Sequence, residues 1–333
     1  MTNSHARQFV FGTVPKPEIE HLVAEMKREA HLLNKSETIA RYRAAGLDVE
    51  PDPFSLRVPE QLCRALRSRR PYSLIRIGDG EVSFLALGKD VQTPTLDRFA
   101  LERTEMQFPD RFRVSEASMF RMQAEMRNAV ETADAVGVVG LWRARKVSTE
   151  TYLDHLVTSI YQDVRGTSGH WRAIRHLLHL GETGALAGKQ ICSAHIYFGL
   201  IKQLSQLFGA ADRTLCITNR PDAVARLRKL HPAHDIGLIE LNDTPLSLAT
   251  LSEDPGFLRD VYARLPPDLS GQLVLIGAGP WAEPYCARVK ERGGVAVDIG
   301  SGFDLLAGHI SRPIHQRYFK LHDISLEGFL KGD

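Results

Sequence analysis

The chain has 333 residues, 43% hydrophobic and 25% charged, which excludes a disordered chain, a collagen-like repeat and a coiled-coil rod. Forty-two basic against forty acidic side chains leave a net charge of +2, so the overall balance gives no argument for a nucleic-acid partner. No uncharged apolar run approaches the ~18–20 residues of a membrane helix, and the start, MTNSHARQFVFG, lacks a basic segment followed by an apolar core; neither a transmembrane span nor a secretory signal is expected.

Residues 1–52 read as an N-terminal helical extension. Ile19, Leu22, Val23, Met26, Ala30 and Leu33 recur at three- and four-residue steps and share one face. The other face mixes Glu18, Glu20, Glu25, Lys27, Arg28 and Glu29, which is not the basic face of a membrane-surface helix. Packing on the main domain is the first expectation for the apolar face, a homodimer contact the second. Asp48 to Pro53 carries two prolines among acidic turn formers and breaks the helix.

Residues 53–310 read as one α/β domain. Pro59 to Arg70 is a helix that opens on proline and ends in basic residues. Tyr72–Ile77 is a strand, followed by apolar runs at Ala135–Val139, Gln190–Ala194, Thr214–Ile217, Ile236–Glu240, Leu273–Ile276 and Val295–Ile299, with segments of helical period between most of them. Strands alternating with helices, several of them nearly continuous in apolar residues, predict a mostly parallel sheet with helices on both faces. Residues 311–333, with Arg312, Pro313, His315, Arg317 and Lys320, read as a tail wrapped on the surface. Cys63, Cys192, Cys216 and Cys286 form no CxxC pair; Cys192 and Cys216 lie in apolar runs and are expected to be buried, inert thiols, and a reducing, cytoplasmic setting is expected.

The strongest local signal is Arg76-Ile77-Gly78-Asp79-Gly80-Glu81, directly after a strand. Ligands in open α/β sheets bind beyond the carboxyl ends of the strands. The glycines permit a tight turn and close ligand approach. Asp79 and Glu81 can converge on one hard cation, Mg²⁺ or Mn²⁺, which would bridge to diphosphate oxygens. Arg76 could pair with the same phosphates. The plainer reading is an Asp-Gly turn with Glu81 in the first turn of a helix. Leu273 to Trp281 runs a strand into Gly277-Ala278-Gly279-Pro280, either a phosphate cradle at a helix start or a tight connection. Val295 to Asp304 contains Asp298-Ile299-Gly300-Ser301-Gly302. Alone it mimics the first motif of S-adenosylmethionine-dependent methyltransferases, but only about 30 residues follow, too few for the remaining strands of such a sheet. Asp298 is a candidate for acting on an acceptor hydroxyl, or for holding the donor sugar, or for capping a turn.

His195, at another strand end, is a candidate general base or phosphate donor, with helix capping as the plain alternative. Asn219 and Arg220 occupy a further strand end, where Asn219 could serve as an N-cap. Trp142, Arg143 and Arg145 could stack on a base and hold phosphate, or form an anchored loop. His170, His176 and His179 read as a solvated helix, and Arg64, Arg67, Arg69 and Arg70 as a solvated basic face that could attract an anionic acceptor.

Strand-Arg76-x-Gly78-Asp79-Gly80-Glu81, followed by the apolar helix Val82 to Leu87, resembles the signature of GT-D-type glycosyltransferases, a Rossmann-like family. Leu273 to Pro280, a helix, Gly293, and Ala296-Val297-Asp298-Ile299-Gly300 resemble that family's C-terminal pattern, and Thr214 to Ala223 its strand ending in a nucleotide-side Asn, here Asn219. The resemblance spans residues 57–308. It implies a metal-dependent transfer of a sugar from a nucleotide diphosphate sugar, a UDP-sugar first, to a hydroxyl of a glycan or glycoconjugate. It makes Asp79 and Glu81 the metal-motif carboxylates, with Glu81 the direct ligand, and it places Arg76, Gly78, Gly80, Asn219, Gly277 and Gly279 around the donor. Asp298 or His195 would be the base. Ser301 departs from the family, which carries His after Asp-Ile-Gly, and Gly-Ala-Gly-Pro departs from its Leu-Gly-Pro turn. A cytoplasmic enzyme, in reach of the inner membrane face, follows. The alternatives are a methyltransferase and a non-catalytic nucleotide-sugar-binding module.

Overall fold

The computed structural model describes residues 14–29, 35–47, 52–88, 95–99, 102, 116–139, 157–241 and 256–331. Its centre is a seven-stranded, wholly parallel sheet in the order β3-β2-β1-β7-β6-β4-β5. The strands are β1 Tyr72–Ile77, β2 Ala135–Val138, β3 Gln190–Ser193, β4 Arg213–Thr218, β5 Ile236–Glu240, β6 Gln272–Gly277 and β7 Val295–Asp298. Each lies on an expected apolar run. The helices, in chain order, are α1 Lys16–Arg28, α2 Lys35–Ala44, α3 Arg57–Arg67, α4 Asp79–Leu85, α5 Glu116–Thr132, α6 Val164–Glu182, α7 Tyr197–Lys202, α8 Leu204–Ala210, α9 Pro221–Leu230, α10 Gly256–Arg264, α11 Ala282–Glu291, α12 Gly302–Leu306, α13 Pro313–His322 and α14 Leu326–Lys331. The fold is α/β and Rossmann-like.

Alternation along β1 separates two cores. Ile75 and Ile77 face a cluster with Val82 and Phe84 of α4, Met122 and Met126 of α5, Ile174 and Leu177 of α6, and Tyr285 and Val289 of α11. Leu74 faces the other layer, with Leu62 and Leu66 of α3, Phe198 of α7, Val224 of α9, Phe303 of α12 and Tyr318 of α13. Helices thus cover both faces, which is why the strands are apolar on both.

Two segments differ from the expectation. The tail is not a surface wrap: α13 and α14 bury His315, Tyr318, Phe319 and Phe329, and the Tyr318 ring stacks on Phe198 at 4.3 Å. Its basic residues occupy the outer face of helices whose inner face is aromatic. Nor is α6 a solvated helix, since Trp171, Ile174, His176, Leu177 and Leu178 are all buried. The apolar face of α1 packs within the chain, where Leu22 and Met26 join Trp171 of α6, Phe99 and Ile160. Among the described residues no helix is long and apolar enough to cross a membrane. All four cysteines are buried and unpaired, and burial pushes the Cys192 and Cys216 thiols up to about 12.

Candidate active site

A parallel sheet brings all its strand carboxyl ends to one edge. The ends of β1 (Gly78), β7 (Ile299 to Ser301), β6 (Ala278, Gly279), β4 (Asn219, Arg220) and β3 (Ala194, His195) therefore line the same side of the molecule. The chain leaves β1 for β2 on one flank, while β7, last in sequence, pairs with β1 on the other. That divergence is where an open α/β sheet forms its ligand crevice. Trp142, Arg143, Arg145 and the side chain of Asp79 lie outside the described residues.

Arg76 sits at the divergence. Its Nε donates to Asp298 Oδ2 at 2.8 Å, its Nη2 to Asp298 Oδ1 at 3.2 Å, and its Nη1 to the Ala194 carbonyl at 3.0 Å. This fork-on-carboxylate pair joins β1 to the end of β7 and the guanidinium to the end of β3. The guanidinium lies 5.4 Å over the Tyr197 ring. Burial alone would lower the Arg76 pKa, but the charge and hydrogen bonds of Asp298, with Glu81 and Tyr197 beyond, raise it above the ordinary arginine value. Gly300 has φ +44°, and a Cβ there would collide with Arg76 Nη2. Glycine is required at this position on both counts. The Asp298 carboxylate, 2% exposed, also accepts from the Gly300 N–H at 2.9 Å. Both its oxygens are thus engaged with the protein, and the turn that mimics a methyltransferase motif is filled by Arg76.

Asp79, Gly80 and Glu81 form the first turn of α4, with Gly78 as N-cap. Glu81 Oε2 accepts from the Gly78 N–H at 2.8 Å, and a Cβ on Gly78 would stand 2.7 Å from that oxygen. Glu81 is half-buried and closes the turn as the plain sequence reading had it, one carboxylate oxygen being turned to the backbone. The second glycine turn is tight for packing reasons: the Phe303 ring lies where a Gly277 Cβ would project, and Gly279 has φ +55°. Asn219 is exposed. Arg220 is tied to Asp222 at 3.0 Å and to Asp304 of α12 at 2.8 Å. His195 is half-buried, with its backbone N–H donating to Ser193 Oγ at 3.1 Å and its ring edge-on to Tyr197 at 6.1 Å.

Three residues of this region carry no sequence signal. Tyr197 opens α7, and His315 arrives from α13. Glu283, in the first turn of α11, is wholly buried, and neither of its carboxylate oxygens has a hydrogen-bond partner. Burial first, then the charges of Glu81 and Asp298, hold its pKa well above the ordinary carboxylate value. An acidic residue early in a helix is so common that only its burial could single it out. Three carboxyl groups here face one guanidinium.

Among the described residues no group of three or more His, Cys, Asp or Glu is gathered to hold a metal. Mg²⁺ and Mn²⁺ sites commonly take one or two carboxylates, completed by water and substrate phosphate. The two carboxylates expected for that role are Asp79, whose side chain lies outside the described residues, and Glu81, which has one oxygen on the Gly78 N–H.

Residues 55–167 match the family model described as a GT-D fold-like domain. The matched segment contains α3, β1, α4, α5 and β2, and with them the Arg76 to Glu81 turn. No curated protein and no solved structure matches the chain. The chain therefore carries a GT-D-like domain, a glycosyltransferase-type fold, over that segment.

Proposed function

We propose that this protein transfers a sugar from a nucleotide diphosphate sugar, a UDP-sugar first, to a hydroxyl of a glycan or glycoconjugate. One observation carries the reading: the Arg76-x-Gly78-Asp79-Gly80-Glu81 turn lies in the segment that matches the GT-D-like domain, and it opens at the carboxyl end of β1, where the sheet diverges. Asp79 and Glu81 would hold Mn²⁺ or Mg²⁺, which supplies charge neutralisation to the departing nucleoside diphosphate.

The chain's own groups do the rest. Arg76 keeps a positive charge fixed at the strand ends, because Asp298 and the Ala194 carbonyl hold its fork in place. A guanidinium has five N–H bonds, so these contacts leave donors over for a diphosphate oxygen. In this reading Asp298 serves as the counter-charge of Arg76, since both its oxygens are engaged. His195 is the base that takes the proton of the attacking hydroxyl. Gly78 and Gly279 let backbone approach the donor closely.

The test is release of nucleoside diphosphate from a panel of nucleotide sugars, with and without Mn²⁺, with S-adenosylmethionine as a control ligand. We expect one donor to be hydrolysed in a metal-stimulated way, and Glu81→Gln to abolish the stimulation. Binding of a nucleotide with no turnover on any acceptor pool would select the non-catalytic module instead.

A further inference from the structure

α4 is seven residues long, about 10 Å, and Asp79, Gly80 and Glu81 form its first turn. An α-helix leaves its last carbonyls without partners of its own. Here four carbonyls in a row, at the end of α4 and just past it, are met by two side chains from other helices. Gln123 of α5 donates from Nε2 to the carbonyls of Phe84, Leu85 and Leu87 at 3.0, 3.2 and 2.8 Å. Arg172 of α6 donates from Nη2 to the Ala86 carbonyl at 2.9 Å. Gln123 is 4% exposed and Arg172 3%, so these side chains, rather than bulk water, serve the carbonyls. Arg172 also donates from Nη1 to the Leu96 carbonyl at 3.1 Å and pairs with Asp97, whose other oxygen accepts from the Gly88 N–H at 2.9 Å.

Toward α4 this clamp offers only donors, and that makes it selective. The carboxamide brings two N–H bonds to three carbonyls, and the guanidinium brings a planar fork and a positive charge to the negative end of the helix. A carbonyl buried without a donor costs about 1–3 kcal/mol. The side chains of Val82, Phe84 and Leu85 add apolar contact with the core. Apolar contact is non-directional, whereas hydrogen bonds have set lengths and angles. The clamp therefore fixes the position of α4 along its own axis. At the opposite end the chain enters α4 from β1, whose Ile77 pairs in register with Val138 of β2. Residues 78–81 thus stand between two fixed points, the sheet and the clamp.

We propose that Gln123 and Arg172 are positioning residues of the strand-end site: by holding the carbonyl end of α4 from two other helices, they fix the backbone of the turn at its opposite end and so the geometry with which that turn meets a divalent cation. They act through α4. This rests on the reading of Asp79 and Glu81 as the cation-holding carboxylates. Gln123 lies inside the segment that matches the GT-D-like domain and Arg172 beyond it, so the turn depends on a part of α6 outside that segment.

The experiment measures Mn²⁺ binding by electron paramagnetic resonance, with and without UDP, in the full chain and its variants, and amide hydrogen exchange in the metal-free wild type. Gln123→Leu and Arg172→Lys should each weaken Mn²⁺ binding in the presence of UDP about tenfold, the low end for outer groups that support metal ligands. Gln123→Glu should bind poorly at alkaline pH and approach wild type at mildly acidic pH, each compared with wild type at the same pH, because only the protonated acid can donate. Leu62→Ala, in the opposite core layer, should lower Tm and leave Mn²⁺ binding unchanged, which separates positioning from general stability. In the wild type the Val82 and Ala86 amides should exchange about a hundredfold slower than in an unfolded chain, or slower still. Unchanged Mn²⁺ affinity in Gln123→Leu or Arg172→Lys, an equal loss in Leu62→Ala, or Val82 and Ala86 amides that exchange at the unfolded rate each overturn the proposal and leave the sugar-transfer reading standing. If Gln123→Leu does not fold, Gln123→Glu decides: a deficit that does not narrow as pH falls overturns the proposal. A wild type that binds no Mn²⁺, with UDP or without it, overturns the cation reading and the proposal with it.

Discussion

The two faces of the β1–β7 junction are built on opposite principles. On the side of α7 and α13 the buried ion pair is matched: Arg76 is forked onto Asp298, donates to a carbonyl and lies over the Tyr197 ring, whose hydroxyl stands 3.2 Å from His315 Nε2. On the side of α4 and α11 the balance fails. Glu283 is buried with neither oxygen paired, and the charges of Glu81 and Asp298 act on it. A matched buried pair is costly to break, and an unmatched buried carboxyl is costly to keep. The matched face ties the ends of three strands together, whereas the unmatched one carries a standing desolvation cost in Glu283.

The comparison breaks most sharply at Arg76. Arg76→Met leaves Asp298 buried with no counter-charge and should destabilise the chain by about 3–5 kcal/mol in urea unfolding. A loss under about 1 kcal/mol, the scale of an exposed pair, would mean that the matched face is not matched by this pair.

His315 comes next. Burial lowers its pKa to about 4, with Asp304 pulling it up and Arg312 pushing it down, against 6.5 in the unfolded chain. The unfolded state therefore binds the proton first as pH falls. Stability from this group is complete above pH 6.5 and drains away between 6.5 and about 4. At about 1.4 kcal/mol per pH unit the total is ~3 kcal/mol. His315→Gln should flatten that part of the stability–pH curve, and a curve of unchanged slope would remove the histidine from the account.

Glu283 has the opposite sign. Its raised pKa means that the unfolded chain ionises first as pH rises, so the wild type loses stability above the ordinary carboxylate pKa of about 4.3. Glu283→Gln should raise Tm at pH 8 by about 2–4 °C for each kcal/mol relieved. The gain should close by pH 4. A variant that melts lower than wild type at pH 8 would show that the carboxyl is matched after all. The smallest effect on stability is expected at Glu81, where Gln keeps an oxygen for the Gly78 N–H and should cost under about 1 kcal/mol in the same unfolding assay.

Much of the architecture was legible one segment at a time. Runs such as Leu273–Ile276 can only be strands buried on both faces, and the pattern of Tyr72 to Glu81 announces a strand, a glycine turn and a helix start. These are local properties of backbone preference and apolar period, and they carried the α/β class, the positions of all seven strands and the family resemblance at Arg76 to Glu81. The tail was misjudged because Arg312, Arg317 and Lys320 dominate its composition, while its aromatic inner face becomes meaningful only where Phe198 waits to receive it.

What composition and spacing could not reach is which distant groups meet. Arg76 finds Asp298 across 222 positions only because β7, the last strand, inserts beside β1. Glu283 is unremarkable in sequence until α11 packs its first turn under two other carboxyl groups. His315 meets Tyr197 across 118 positions only because α13 packs back onto α7. Helix and strand are chosen by neighbours a few residues away, whereas charge pairing and the desolvation that makes it matter are set by strand order and burial, which exist only once the whole sheet has formed.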